Sequence, residues 1–253
     1  MTTPFTARPT LVGHRGLGAG VLDGHHENSL GSFLAAADAG ADWVEVDVRR
    51  AADDTLVVAH DPAYEDGAFL VDLPGPEVAA RGTLLVEDLL AALPDGIGVD
   101  LDLKSAMEDA AHPVSRTAQL VAPLAQREQR RRPVAVTSFD PAAVAVVRAT
   151  VPDVPVGLLT WLEFPVEHAV AAAAHLDVDV LALHAGSLHP NRVQGPEQIR
   201  PLGRVVDLLH GAGRQLLVWG PPPEDLPALT EAGADAVCVN DVAAARAALS
   251  GGA

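Results

Sequence analysis

Trp43-Val44-Glu45-Val46-Asp47-Val48 decides how this chain is read. Valines and carboxylates alternate, so a β-strand would turn the valines to one side and both acids to the other. The valines need burial, and a parallel strand covered on both faces leaves no solvent side for the acids. Two buried anions without a partner would be very costly. A hard divalent cation, Mg²⁺ or Ca²⁺, relieves that cost because both take oxygen ligands.

Further apolar runs of strand length flank this one: Thr10–His14, Gly98–Leu103, Pro133–Phe139, Pro155–Thr160, Val178–His184, Gln215–Trp219 and Ala236–Asn240. Between them lie stretches with helical spacing, among them Leu30–Ala39, Val86–Leu93 and Arg200–His210. Gly40, Gly211 and Gly233 follow helical stretches, where a left-handed residue ends a helix. Eight strand–helix alternations predict an α/β chain folded as a (β/α)₈ TIM barrel, one domain over residues 1–253. An open doubly wound sheet would want a glycine-rich turn after its first strand, and His14-Arg15-Gly16-Leu17-Gly18 fits that poorly.

Leu56–His60 falls outside the alternation. Too few residues separate it from Val48 for a helix, so an extra β-hairpin is expected, turning at Asp53-Asp54. In that register position i faces 107 − i. Asp47 would then lie directly across from His60, with Cβ atoms about 5 Å apart.

The strand at Gly98–Leu103 repeats the acidic theme. Asp100, Asp102 and Lys104 share one face, and Asp102 is the better third metal ligand because it sits nearer the strand's C-terminal end. Lys104 is the only lysine in a chain that otherwise uses arginine for positive charge. A compact, flexible ammonium there could hold a phosphate oxygen. His14 and Arg15 end the first strand at the same mouth. Two histidines can exchange acid and base roles, and a metal with two cations can stabilise phosphoryl charge. Cys238, the single cysteine, lies in an apolar strand, and no G-x-S-x-G elbow marks an activated serine.

Composition narrows the partners. The 253 residues are 49% hydrophobic but only 4% aromatic, a core of aliphatic side chains. A formal charge of −17 argues against nucleic acid and against anionic membrane surfaces. No run suits a membrane span and no basic, apolar leader is evident, so a cytoplasmic location is expected.

His14-Arg15-Gly16, Glu27-Asn28-Ser29, Glu45–Val48, Val57–Asp61 and Asp100–Lys104 occur in the order and spacing of the glycerophosphodiester phosphodiesterase family, which the chain resembles. Weaker matches follow at Ser138-Phe139, Trp219 and Asn240-Asp241, so the resemblance runs through most of the chain. It implies a TIM barrel that cleaves glycerophosphodiesters to an alcohol and sn-glycerol 3-phosphate with a divalent cation. His14 and His60 take the place of the paired catalytic histidines, Glu45, Asp47 and Asp102 of the metal ligands, and Arg15 and Lys104 of the phosphate contacts. Glu27 would support Arg15, Trp219 would pack against the substrate's carbon chain, and Asn28 or Ser29 would cap a helix. The family usually has Glu at position 102, and a longer insertion after the His-Asp motif. Only about 25 residues separate Asp61 from the helix near Val86, a small lid that suits a bulkier or different substrate. A phospholipase D-like enzyme acting on lysophospholipid headgroups, or a silent phosphate-ester binder, are the rival readings.

Overall fold

The computed structural model describes residues 3–7, 9–104, 109–110 and 115–250. β1 (Thr10–Gly13) runs into a small antiparallel ribbon, β2 (Val21–Leu22) and β3 (His25–His26), before α1 (Leu30–Asp38). β4 (Trp43–Arg50) turns back as β5 (Leu56–Val58), and α2 (Gly75–Ala80) and α3 (Val86–Ala92) lead to β6 (Gly98–Leu103). Regular alternation follows through α4 (Arg116–Glu128), β7 (Val134–Ser138), α5 (Pro141–Thr150), β8 (Val156–Leu159) and α6 (Val166–His175). It continues with β9 (Val180–His184), α7 (Leu202–Gly211), β10 (Gln215–Trp219), α8 (Leu226–Glu231), β11 (Ala236–Val239) and α9 (Val242–Ser250). β1, β4 and β6 to β11 pair in parallel, and β1 bonds to both β4 and β11, which closes the barrel.

The predicted strands are present, mostly trimmed at their ends. Pro133 and Pro155 lack an N–H and stand just outside β7 and β8, yet their carbonyls accept from Val99 N and Val136 N at 3.0 Å. Two helix ends differ from expectation. α7 starts at Leu202 rather than Arg200, since the residue before Pro201 is biased away from helical geometry. It ends through Gly213 (φ +74°), not Gly211, which is still helical.

The valines of β4 pack outward with Phe33, Val86 and Leu89 in the layer between sheet and helices. A second cluster fills the barrel interior, and Trp43 lies near its floor, edge-on to Phe5 at 5.1 Å. Gly98 on the neighbouring strand makes room for that indole, because a Cβ there would lie 2.2 Å from the ring. Glu45 and Asp47 therefore point inward, above Trp43 and toward the C-terminal mouth.

The hairpin exists, but its register corrects the prediction by one residue. Val48 pairs with Val58 and Arg50 with Leu56. Ala51 N donates to Thr55 O, Asp54 N donates to Ala51 O, and Asp54 adopts φ +69°. This is a three-residue loop closed by a left-handed residue, not a two-residue turn. Asp47 consequently lies opposite Ala59, whose N–H donates to Asp47 O at 3.0 Å, and not opposite His60. A one-residue slip would send His60 to the wrong face, except that it lies beyond the paired residues and escapes the alternation. Its carbonyl instead accepts from the Arg49 guanidinium at 2.6 and 2.9 Å.

The short insertion forms a small core of its own. Leu70 and Val78 bury against Ala51 and Val57 of the hairpin. No helix among the described residues is long and apolar enough to cross a membrane.

Candidate active site

β1 ends at the mouth, and the next turn is tight. Arg15 (φ +53°) and Asn28 (φ +57°) both hold left-handed backbone, a conformation costly for residues other than glycine and concentrated at working sites. Asn28 N donates to Arg15 O at 3.0 Å, which locks the two strained residues together. Both side chains reach Asp47 Oδ2: Asn28 Nδ2 donates at 2.8 Å and Arg15 Nε lies at 3.2 Å. Arg15 Nη1 donates to Glu27 Oε1 at 2.6 Å, so Glu27 stands where a support for Arg15 is expected. Ser29 caps α1, accepting from Ser32 N.

β4 and β6 lie side by side with Glu45 beside Asp100 and Asp47 beside Asp102. Glu45, Asp47 and Asp102 are buried, and each offers a carboxylate oxygen within 4.8 Å of the others. Lys104 Nζ contacts Asp102 and lies 3.0 Å from Asp47 Oδ1. Glu45 Oε1, Asp102 Oδ1 and Asn28 Oδ1 are buried with no hydrogen-bond partner among the described residues. Three buried carboxylates this close together, two of them with an oxygen left unpaired, are a donor set suited to a divalent cation, so these residues fit that ion.

The carboxyls are not equivalent. Burial and the neighbouring Asp47 and Asp102 push Glu45 well above the ordinary range. Burial also raises Asp102, against the pull of Lys104. Burial opposes ionisation of Asp47 too, but Lys104, Arg15 and the Asn28 hydrogen bond outweigh it and hold Asp47 low. Asp100, deeper in the barrel, accepts from Thr137 Oγ1 at 2.8 Å, and burial beside Asp102 lifts it to about 7. Burial disfavours the Lys104 ammonium, yet Asp102, Asp47 and Glu45 raise its pKa and keep it charged.

The two histidines are held differently. His14 Nδ1 lies 2.6 Å from Asn240 Oδ1, and its Nε2 is 3.9 Å from Glu45 Oε2. An amide oxygen there can only accept, which puts the proton of neutral His14 on Nδ1 and leaves the Nε2 lone pair free. Burial and then Arg15 lower its pKa, so the imidazole stays neutral. His60 is more exposed, and its Nδ1 lies 2.8 Å from the carboxylate of Asp61.

His14, Arg15, Glu45, His60, Asp102, Lys104 and Trp219 line one cavity of about 600 Å³. Asp47 lies beneath it, fully buried, and Glu27 stands behind Arg15. The far side is apolar. Phe139 stacks on Trp161 at 4.4 Å, Trp219 meets Phe139 edge-on at 5.8 Å and His184 at 4.4 Å. Sequence reasoning misses Asn28 as a contact of Asp47, Asn240 as the partner of His14, and Trp161 altogether. Asn240 alone has a usable signal, a polar residue just past the last strand of the barrel.

A barrel mouth that gathers buried acids, two histidines, a guanidinium and an ammonium can hold a cation, move protons and stabilise the charge of a phosphoryl group. The model of the glycerophosphoryl diester phosphodiesterase family matches residues 14–244, and the chain belongs to that family. A Mycobacterium tuberculosis protein named "Probable glycerophosphodiester phosphodiesterase 2" is 30% identical over 209 residues, 76% of this chain and 73% of the relative. A crystal structure from Galdieria sulphuraria that bears a glycerophosphodiester phosphodiesterase name superposes with a TM-score of 0.77 at 24% identity, covering 96% and 98% of the two chains. An Oleispira antarctica phosphodiesterase in complex with the product sn-glycerol-3-phosphate gives 0.70 at 20% identity over 96% and 97%. At those identities the two structures establish the shared fold.

Proposed function

We propose that the chain hydrolyses glycerophosphodiesters to an alcohol and sn-glycerol 3-phosphate, with His14 and His60 as the acid–base pair. The observation that carries this is the close approach of the buried Glu45, Asp47 and Asp102 carboxylates, two of them with an unpaired oxygen, beside two histidines held by unlike partners. Glu45, Asp47 and Asp102 would hold Mg²⁺ or Ca²⁺, which when bound polarises the phosphoryl group and lowers the barrier to its attack. Arg15 and Lys104 would bind phosphate oxygens, and Trp219 would pack against the carbon chain. Net charge −17 suits a small, locally held phosphodiester rather than a nucleic acid. We read the chain as one cytoplasmic domain.

The unlike settings of the histidines divide the labour. His14 Nε2, neutral and unprotonated, takes the proton of a glycerol hydroxyl as that oxygen attacks phosphorus. The bond from phosphorus to the leaving alcohol breaks, and His60 delivers a proton to that alcohol's oxygen. Water then opens the cyclic phosphate with the roles reversed. Asp61 orients His60 and balances its charge when it is the imidazolium.

Hydrolysis of glycerophosphocholine, with and without chelator, tests the activity. Release of sn-glycerol 3-phosphate that chelator abolishes and Mg²⁺ or Ca²⁺ restores is expected, and no release under either ion sinks the reading. A p-nitrophenyl ester tests the division of roles, because its leaving group needs no acid. In the first turnover, before water must open the cyclic phosphate, His60→Ala should retain most of the rate of p-nitrophenol release, whereas His14→Ala should not; equal losses in that first turnover would refute the assignment.

A further inference from the structure

The catalytic cavity is divided by chemistry. The charged residues come from β1, β4, β6 and the hairpin, while Phe139, Leu159, Trp161, Leu162, Leu217 and Trp219 line the arc of β7, β8 and β10. Two of these are unusually exposed for large apolar side chains, Trp161 at 65% and Leu162 at 59%. Exposed apolar surface gathered at one place marks a binding surface rather than packing. This surface is continuous with the catalytic cavity, so its occupant is part of the substrate.

The charges around the wall indicate which part. Aromatic faces can cradle a cationic headgroup, but Lys104 Nζ already lies 5.2 Å from the centroid of Phe139, and the ring stacks on Trp161. With an ammonium and an indole already against it, that ring is not free to take a second cation. Asp140, at the edge of the cavity, accepts from Ala142 N as the cap of α5. Glu163, beyond Leu162, lies 3.5 Å from Arg192. Neither acid offers a dedicated site for an ammonium, and the wall itself is neutral. Glycerol phosphate belongs on the charged side, which leaves the wall to the second alcohol.

We infer that the arc of Phe139, Trp161, Leu162 and Trp219 is a leaving-alcohol subsite that selects esters of sn-glycerol 3-phosphate whose second alcohol carries an apolar chain. The inference rests on the phosphodiesterase reading above and specifies its substrate class.

Ethyl, butyl, hexyl and octyl esters of sn-glycerol 3-phosphate, used at concentrations where they stay monomeric, test it. Each methylene that reaches the wall should raise kcat/KM by up to about fourfold, the worth of burying one CH₂. W161A and L162S, each normalised to its own ethyl ester so that any general loss cancels, should flatten the series. A flat series in the parent enzyme, a choline ester preferred over the hexyl ester, or an unchanged slope in both variants overturns the subsite. A binding readout separates this from failure of the activity. Of the three tryptophans, Trp161 and Trp219 lie in the wall while Trp43 is buried near the floor, so fluorescence should report the subsite. Octyl phosphate should bind more tightly than ethyl phosphate even if no ester is cleaved. Equal affinities would dispose of the subsite whatever the activity.

Discussion

Two arcs of one barrel mouth are built on opposite economies. The arc of β1, β4 and β6 buries charge that the fold alone does not want, and its carboxyls are held in protonation states set by their neighbours. The arc of β7, β8 and β10 leaves the Trp161 indole and the Leu162 side chain largely in water. One side is overcharged and buried, the other carries its apolar surface out to an exposed rim, and on the reading proposed above a ligand would remove each cost. A mouth of this kind trades stability for recognition, so substitutions there should separate the two quantities.

The largest effect belongs to the acids. Glu45→Gln and Asp47→Asn should each lower turnover by roughly a thousandfold or more, the scale of losing a preorganised electrostatic partner. Their effects on the chelated protein should have opposite signs. Glu45 is a buried carboxyl whose charge the fold disfavours, so the amide should raise the melting temperature. Asp47 is ionised and bound by Arg15, Lys104 and Asn28, so losing its charge should lower the melting temperature. Two thermal scans in chelator decide this, and shifts of the same sign would break the contrast.

Asp100 gives the next largest effect, as a pH dependence of stability. The folded carboxyl keeps its proton to about pH 7, whereas the unfolded chain releases it near its ordinary value of 3.8. Between about pH 4 and 7 the folded state binds more protons, so this residue's contribution to stability falls as pH rises. The full fall is about 4 kcal/mol at 1.36 kcal/mol per pK unit. Asp100→Asn should remove that slope from denaturant titrations of the chelated protein, and an unaltered slope would place its origin elsewhere.

How much of this is legible in the sequence differs between the arcs. Acids at alternate positions of a valine-rich strand cannot be explained by packing, so Glu45, Asp47, Asp102 and Lys104 stand out from residue order alone. The hairpin is legible as a hairpin, but its register is not, because a left-handed Asp54 adds a residue to the turn and nothing in Asp53-Asp54 announces it. Asn28 and Asn240 are harder still: a lone amide beside a helix or a strand end is a common cap, and only the fold brings each to its partner. The apolar arc is hidden for a simpler reason. Trp161 and Phe139 follow strands, where an aromatic reads as core, and sequence periodicity does not show that Trp161 ends up in solvent.

Asn240 tests whether the charged arc depends on orientation as well as charge. Asn240→Leu removes the acceptor that fixes His14 with its proton on Nδ1. The imidazole can then populate the tautomer protonated at Nε2, which cannot act as a base toward the substrate. A fall of about 10- to 100-fold in kcat with little change in KM is expected, less than the roughly 10²–10⁴-fold of a whole general-base contribution because only part of the His14 population changes tautomer. Asn240→Asp, which keeps an acceptor at that place, should recover much of the loss. Nitrogen chemical shifts of the His14 ring should report the tautomer directly. If KM rises while kcat holds, Asn240 is a substrate contact instead.

The smallest effects should come from the exposed end of the apolar arc, and that smallness is itself informative. Leu162 is 59% exposed, so Leu162→Ser should change stability by no more than about 0.5 kcal/mol, as surface substitutions usually do. Trp161→Ala also loses the stack on Phe139, a contact worth about 0.5–1.5 kcal/mol. For a protein of this size that lowers the melting temperature by roughly 1–6 °C. Phe139→Ala should cost more than either, since its ring lies between Trp161, Trp219 and the Lys104 ammonium. The ordering Phe139, Trp161, Leu162 follows from the number of partners each side chain has within the wall. If Leu162→Ser proved as destabilising as Phe139→Ala, the rim would be packing surface, and the two arcs would no longer differ in kind.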